Sequence, residues 1–464
     1  MFRIFSQYLP TRTLFLIVFE NLLIGATIRL VAMMRLSNSQ YSVFEDQGVL
    51  FKVITITLIC QLCLYFHDLY DLRIVKDSRE LFVRLLQAFG VCSILVAAVY
   101  SLFPRMFLGR GVFVVAVIIL LCFFIAWRVA FLWINQKRGL KQSMLIVGTG
   151  ELAKRLAAEI LCRPDVGIQI VGFATEDRPM IGKSLLNPKV LGHVSEIATI
   201  VARERVDGIV VAMPESRGKL PVAELLDMKM KGISVEEATT LYEKVTGKIA
   251  VENLRPSWLI FSQGFRKSKL THFYKRLFGV VFSILGLLLF LPVMIVIALL
   301  IKLDSAGPVF FRQERVGENG EVFRLLKFRS MFENAETDTG PIWALENDRR
   351  ITRVGRFIRR VRFDELPQFV NVLWGEMSFV GPRPERPHFV RQLNEKIPYY
   401  NQRHSVKPGI TGWAQIKYGY GASFDDTLEN LQFDLFYIKN MSVALDLLII
   451  FQTIKIVLSG KGAH

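Results

Sequence analysis

Two adjacent carboxylates, Asp364 and Glu365, sit in the stretch RRVRFDELPQFVNVLWGEMSFVGPRP (residues 359–384), between arginines on one side and a Gly-Pro-Arg-Pro turn on the other. Arg359, Arg360, Arg362 and Arg383 surround the pair with fixed positive charge. Arginine matches phosphate oxygens with a rigid fork of donors, and a carboxylate can ligate Mg2+ or attack phosphorus. The chemistry on offer is therefore one in which phosphates and a divalent cation meet. The plainer alternative is a charged helix start, with Asp364 as cap, Pro367 in the first turn and the basic residues facing solvent. Spacing alone leaves both open.

The rest of the chain must position that stretch. It has 464 residues, room for two or three domains. With 52% hydrophobic residues, 36 Phe, a mean hydropathy of +0.36 and a net charge of +17, it is too apolar for an ordinary soluble enzyme. Apolar and basic together point to a membrane protein working against anionic lipid, or to a site for polyanionic substrates. Nucleic acid is set aside, because there is no zinc-finger spacing and no continuous basic helix. Four of the five cysteines (Cys60, Cys63, Cys92, Cys122) fall in apolar runs, and no second pair completes a zinc site with Cys60 and Cys63. They read as packing residues, with no disulfide framework.

Residues 1–140 read as a bundle of four membrane spans, with apolar runs near 14–34, 49–66, 81–103 and 112–133. The first run is too long for a cleaved signal peptide. Arg3 and Arg12 precede it, Arg73, Lys76 and Arg79 separate the second and third runs, and Lys137, Arg138 and Lys141 follow the fourth. The first loop carries Glu45 and Asp46 instead, so both ends of the bundle are expected on the cytoplasmic side. Arg105 and Arg110 in the third loop run against this.

Residues 141–271 change texture to soluble α/β. SMLIVGTG, IQIVGFAT and DGIVVAMP read as buried strands, and ELAKRLAAEIL and VAELLDMKMKG as helices, an alternation that predicts a Rossmann-like parallel sheet. Gly148, Gly150 and Ala153 form G-x-G-x-x-A at the first strand-to-helix turn, with Glu176 or Asp177 placed as a ribose partner. The motif fits nucleotide binding, and equally a tight turn without a ligand. A membrane-anchored nucleotide-sugar dehydratase or epimerase shares this layout, but it needs Tyr-x-x-x-Lys, and no tyrosine here has lysine four positions on.

Residues 272–464 form the third region. Its first element, 275–303, is long enough to cross a bilayer yet holds Pro292 at its middle, where proline costs about 3 kcal/mol in a straight helix. Basic residues flank both ends, so a helix that enters, breaks at Pro292 and returns to the cytoplasmic face fits better than a kinked span. Residues 307–317 and 321–331 read as strands, the second leading into Lys327 and Arg329, and 404–419 as an ordered glycine-rich loop. Residues 433–458 read as an amphipathic to apolar helix lying on the membrane surface.

KFRSM, RFDELPQ, VGPRP and PGITGWAQ, in that order after a proline-broken apolar segment, resemble the bacterial sugar transferase family. These are the monotopic phosphoglycosyl transferases. The resemblance covers roughly residues 270–464, and four motifs agreeing in order make it specific. The bundle and Rossmann-like domain in front resemble the long members that start exopolysaccharide, capsule or O-antigen assembly.

The resemblance implies transfer of a sugar 1-phosphate from a UDP-sugar to undecaprenyl (polyprenyl) phosphate, with release of UMP. It implies Asp364 as nucleophile and Mg2+ contact, Glu365 as its partner, and Lys327, Arg359 and Arg383 as phosphate-contacting cations. Arg329 joins them by proximity in its motif. Trp413 and Gln415 lie in the family's ITGWAQ loop, with substrate-facing and structural roles both open. Because adjacent carboxylates repel, one of the pair is expected to hold its proton more tightly, leaving Glu365 to handle protons or orient the metal. The family's break is often Ser-Pro and here is Leu291-Pro292. A bacterial inner membrane, a homodimer and downstream glycosyltransferases follow as expected surroundings. A polysaccharide-export scaffold with a vestigial dyad is the non-enzymatic alternative, and the intact cationic set speaks against it.

Overall fold

The computed structural model describes residues 2–4, 7–9, 11–35, 49–71, 78–107, 111–136, 141–213, 220–253, 256–333, 335, 348–419 and 423–458. The chain divides into two compact units, Tyr8–Leu241 and Tyr242–His464, with the first seven residues shared between them. Glu45, Asp46, Arg73, Lys76, Lys137 and Arg138, on which the expected orientation rests, and Arg110, which runs against it, lie outside the described residues.

The first unit opens with α1 (Thr11–Arg35), α2 (Val49–Phe66), α3 (Ser78–Leu102) and α4 (Val112–Gln136). Each contains a stretch long and apolar enough to cross a membrane. On α1 the buried positions Leu16, Glu20, Ile24, Thr27, Ile28 and Val31 recur at three- and four-residue steps, the inward stripe of a packed helix. Its outer face is apolar too, with Phe15, Leu22, Leu30 and Met33 exposed, a surface suited to lipid rather than water. Arg29 also lies on the exposed side. Cys60 and Cys92 pack α2 against α3 with their Sγ atoms 3.1 Å apart, and Cys63 is buried, whereas Cys122 is exposed.

One ionic contact ties this bundle together from within. Arg128 Nε on α4 lies 2.6 Å from Glu20 Oε1 on α1, with both side chains buried. The Tyr70 hydroxyl donates to Glu20 Oε2 at 2.5 Å, and Arg128 Nη1 donates to the Leu69 carbonyl. Such a pair persists only while each charge keeps its partner. Arg128→Met leaves Glu20 as an uncompensated buried charge and is expected to cost roughly 3–5 kcal/mol, read as a lower unfolding midpoint in detergent. Replacing Glu20 and Arg128 together by leucine should recover most of that loss.

A five-stranded parallel sheet follows: β1 (Gln142–Val147), β2 (Ile168–Thr175), β3 (Val190–His193), β4 (Gly208–Val211) and β5 (Ser234–Glu237), in the order β3-β2-β1-β4-β5. β1 is central, and the chain reverses direction across the sheet between β3 and β4, the doubly wound arrangement. The turn after β1 leads into α5 (Glu151–Cys162), with Gly150 at its N-cap and Ala153 fully buried. Gly148 has φ 118°, and a Cβ there would lie 2.9 Å from the Ala212 carbonyl oxygen, so the turn demands glycine. Asp177 follows β2, its backbone N–H donating to Thr175 Oγ1 at 3.1 Å.

The second unit is built on α6 (Lys269–Asp304), a 36-residue helix that also meets the length and hydropathy of a membrane span. Its residues are helical on both sides of Pro292 with no non-helical residue between. An antiparallel hairpin of β6 (Phe310–Val316) and β7 (Val322–Phe328) follows, and then α7 (Arg353–Arg360) and α8 (Gln368–Trp374). β8 (Ser378–Val380) pairs in parallel with β9 (Gly409–Thr411). The last described elements are α9 (Phe424–Asn440) and α10 (Val443–Leu458). The single surface helix expected over 433–458 is thus corrected to two. Residues Leu431–Ile438 of α9 are buried, packing with Trp413, Tyr400 and Phe389 in the main core. Exposed large apolar side chains gather on α10, at Leu447, Ile454, Val457 and Leu458, whereas α9 exposes Phe424 at its first position.

Candidate active site

Local chain geometry brings the motif residues together. Thr352 caps α7, its Oγ1 accepting from the Gly355 N–H at 2.9 Å. At its other end Arg362 adopts φ 58°, a left-handed conformation that costs a non-glycine residue about 1–2 kcal/mol. That residue turns the chain into a short 3-10 turn, Phe363–Glu365, which carries both carboxylates. Pro367, not Asp364, takes the N-cap position of α8, so the helix-cap reading of Asp364 is not realised.

Glu365 is held from two directions. Its Oε1 accepts from Arg383 Nη2 at 2.7 Å and from Lys327 Nζ at 3.3 Å. Lys327 arrives on β7, whose register is locked by the fully buried Asn371 of α8. Asn371 Oδ1 accepts from the Leu326 N–H at 2.9 Å, and its Nδ2 donates to the Arg324 carbonyl at 2.8 Å. Arg383 arrives on the turn after β8. There β8 and β9 approach so closely that a Cβ on Gly409 would fall 2.0 Å from the Gly381 nitrogen, which accounts for glycine in both VGPRP and PGITG.

One of the pair does hold its proton more tightly, and it is Asp364 rather than Glu365. Burial pushes Asp364 above the usual carboxylate range, Glu365 adds to this, and the charges of Lys327, Arg359 and Arg383 oppose it. Burial would raise Glu365 as well, but Arg383 and Lys327 outweigh it and hold that carboxyl well below its usual range. Lys327 is itself lowered, chiefly by burial. Among the described residues no hydrogen bond engages Asp364, so a buried carboxylate stands ringed by cations with its oxygens available.

Other predicted residues sit elsewhere. The hydrogen bonds of the Arg329 guanidinium go to the Ala306 and Ser305 carbonyls and to Ser305 Oγ, closing the C-terminus of α6. Trp413 is buried, donating from Nε1 to the Gly247 carbonyl at 2.8 Å and stacking on Phe436 at 5.8 Å. Gln415 Nε2 donates to the Ile410 carbonyl within its own loop at 3.2 Å. Gly148, Gly150 and Ala153 belong to the other unit.

Sequence reasoning passed over a polar cluster behind Arg383. Arg403 Nη2 donates to the Arg383 carbonyl at 2.9 Å and lies 2.8 Å from Asp434 Oδ2, while its Nη1 donates to the Tyr400 hydroxyl at 2.6 Å. Only the burial of α9 places Asp434 here, and no local pattern announces it. His404 is buried beside Arg403, and burial followed by that charge lowers its proton affinity to about 4.

The unfolded chain binds a proton at His404 near 6.5 and the folded one near 4, so this group's contribution is full above 6.5 and lost as pH falls toward 4, up to about 3 kcal/mol. Asp434, raised by burial to about 6, acts in the opposite sense between 6 and 3.8. His404→Gln removes only the first effect. On going from about pH 7 to about pH 5, the parent's unfolding midpoint should therefore fall more than the variant's. Equal falls would show that His404 is not held neutral.

Sequence comparison covers the region that holds this geometry. Residues 270–460 match the bacterial sugar transferase model, and residues 66–225 match a CoA-binding domain. The chain belongs to the bacterial sugar transferase family. It is 34% identical over 339 residues to the UDP-glucose:undecaprenyl-phosphate glucose-1-phosphate transferase of Escherichia coli (strain K12), covering 72% of this chain and 71% of that one. It is 46% identical over 232 residues to the UDP-N-acetylgalactosamine-undecaprenyl-phosphate N-acetylgalactosaminephosphotransferase of Aeromonas hydrophila, covering 50% of this chain and 54% of that one. To the undecaprenyl-phosphate glucose phosphotransferase of Komagataeibacter xylinus it is 35% identical over 333 residues, covering 70% of this chain and 61% of that one. The match therefore spans little more than half the length of the Aeromonas and Komagataeibacter relatives.

Proposed function

We propose that this protein transfers a sugar 1-phosphate from a UDP-sugar to undecaprenyl phosphate at the cytoplasmic face of a bacterial inner membrane. The observation that carries this reading is the division of labour in the dyad: Glu365 is occupied by Arg383 and Lys327, while buried Asp364 has no hydrogen bond among the described residues. The relatives' names, two specifying glucose and one N-acetylgalactosamine, support the substrate class.

In this reading an Asp364 oxygen attacks the β-phosphorus of the UDP-sugar. The new O–P bond forms as the bridging P–O bond breaks, and UMP leaves with the electron pair. A phosphate oxygen of undecaprenyl phosphate then attacks the same phosphorus, and breaking of the Asp364 O–P bond restores the carboxylate. Lys327, Arg359 and Arg383 meet the charge spread over the transferring oxygens. Among the described residues no group of three or more His, Cys, Asp or Glu is placed to hold a metal. Asp364 with diphosphate oxygens and water is a donor set that suits Mg2+. When bound, that ion neutralises the diphosphate so that an anionic carboxylate can approach.

The membrane arrangement is supported by α6, which touches its own unit along its whole length. Lys275 Nζ lies 2.5 Å from Asp446 Oδ2, Phe282 packs on Phe379 at 5.7 Å, Ile297 and Ile301 pack with Phe328 and Ile358, and Asp304 Oδ2 accepts from the Val354 N–H at 3.0 Å. A straight helix of this length would span about 54 Å and carry one end across a bilayer. Contacts at both ends with one unit favour a helix that dips into the membrane and returns near Pro292, where the missing N–H permits a bend. The Phe290 ring lies 6.0 Å from that of Phe363, so the middle of the helix adjoins the dyad.

With Mg2+ and undecaprenyl phosphate, one UDP-sugar from a panel is expected to yield UMP, and Asp364→Asn to lower that rate by at least about 10³-fold. An active Asp364→Asn, or a panel without turnover, would remove the dyad from the chemistry. Chelation of the divalent ion should abolish UMP release and added Mg2+ restore it, whereas turnover unaffected by chelator would exclude the metal's role.

A further inference from the structure

We propose that Arg403 is a positioning residue that acts through Arg383, fixing the Gly-Pro-Arg-Pro turn so that the Arg383 guanidinium reaches Glu365. This rests on the reading of the dyad given above.

The turn is clamped almost residue by residue. The Val380 carbonyl accepts from Lys275 Nζ at 3.2 Å and Tyr437 Oη at 3.1 Å, and the Gly381 N–H donates to the Thr411 carbonyl at 2.9 Å. The Pro382 carbonyl accepts from the Gly409 N–H, and the Pro384 carbonyl from Arg315 Nη1, each at 2.9 Å. Prolines at 382 and 384 fix φ on both sides of Arg383. The Arg383 carbonyl is the remaining point, and its donor is a buried guanidinium. Burying an ion pair is costly unless the geometry is tight, yet Arg403 is held by Asp434 and Tyr400, with its Cζ 5.1 Å from the Tyr400 ring centroid. Asp434 and Tyr437 are three residues apart on α9, so one helix face secures both ends of the turn. The side chain that benefits is Arg383, 2.7 Å from Glu365.

The test is a double-mutant cycle in the full-length protein in lipid nanodiscs. Arg403→Lys keeps a positive charge for Asp434 but loses the planar fork. It is expected to lower kcat for UMP release on the order of 10²-fold with KM little changed. In an Arg383→Ala background, assayed at enzyme concentrations that resolve its residual rate, the same substitution should cost nothing further. An equal loss in both backgrounds would assign Arg403 to stability alone and overturn the proposal. An electron-microscopy structure of the variant supplies a readout independent of turnover. If Arg383 still contacts Glu365 in the folded variant, the proposal fails. If Arg383 has left Glu365 although the parent yields no UMP from any donor, the positioning role stands and the proposed function falls. Asp434→Asn, which keeps the side-chain shape while removing Arg403's charged partner, is read by the same structural criterion if Arg403→Lys does not fold.

Discussion

A carboxylate taken out of water needs a counter-charge, and at residues 364 and 365 two carboxylates compete for the same few cations. Geometry decides the competition. Arg383 and Lys327 both reach Glu365 Oε1, which leaves Glu365 ionised and occupied. Asp364 feels the same charges at longer range, lies buried, and has no hydrogen bond among the described residues. One acid thus spends its capacity on organising cations, while the other is left with no hydrogen bond among the described residues, as the proposed nucleophile requires. The asymmetry depends on where two backbones run: β7, which carries Lys327, and the turn that carries Arg383.

Those backbones are set by polar side chains that never touch the dyad. Asn371 locks β7 to α8, and Arg403 with Asp434 closes on the Arg383 carbonyl. Arg329 secures the two carbonyls that follow α6, those of Ser305 and Ala306, and Asp304 at the same end holds the first turn of α7. The long apolar helix and the chemical stretch are therefore one mechanical object, with Phe290 packed beside Phe363 immediately before Asp364. In the proposed arrangement, a membrane helix tied this way would keep the dyad near headgroup depth.

What the sequence made legible were features coded locally. The alternation of strands and helices marked the parallel sheet, glycine at 148 marked a turn that tolerates only glycine, and 307–331 marked the hairpin. Arg383 and the dyad were legible as a charge pattern, and Lys327 through the resemblance carried by its KFRSM motif. What escaped was coded by distant contact. The run around Phe433–Asn440 looks like a surface helix because Asp434, Lys439 and Asn440 interrupt it. Those polar groups are spent inside the fold: Asp434 on Arg403, and Lys439 and Asn440 on Glu243. Arg329 looked like a phosphate ligand from its motif, but folding brings it against the end of a helix more than twenty residues earlier. The left-handed Arg362 has no glycine or asparagine to announce it, because the strain is stabilised by the surroundings rather than by residue type.

The central claim is that Asp364 itself carries the phosphosugar. Its most direct test is mass spectrometry of peptides from protein incubated with Mg2+ and its UDP-sugar in the absence of undecaprenyl phosphate. The account predicts a peptide containing Asp364 that is heavier by one sugar phosphate, with the addition on Asp364 and lost when the lipid acceptor is supplied. An addition located on another residue, or an unmodified peptide while UMP accumulates, would contradict it and point to direct transfer between the two substrates.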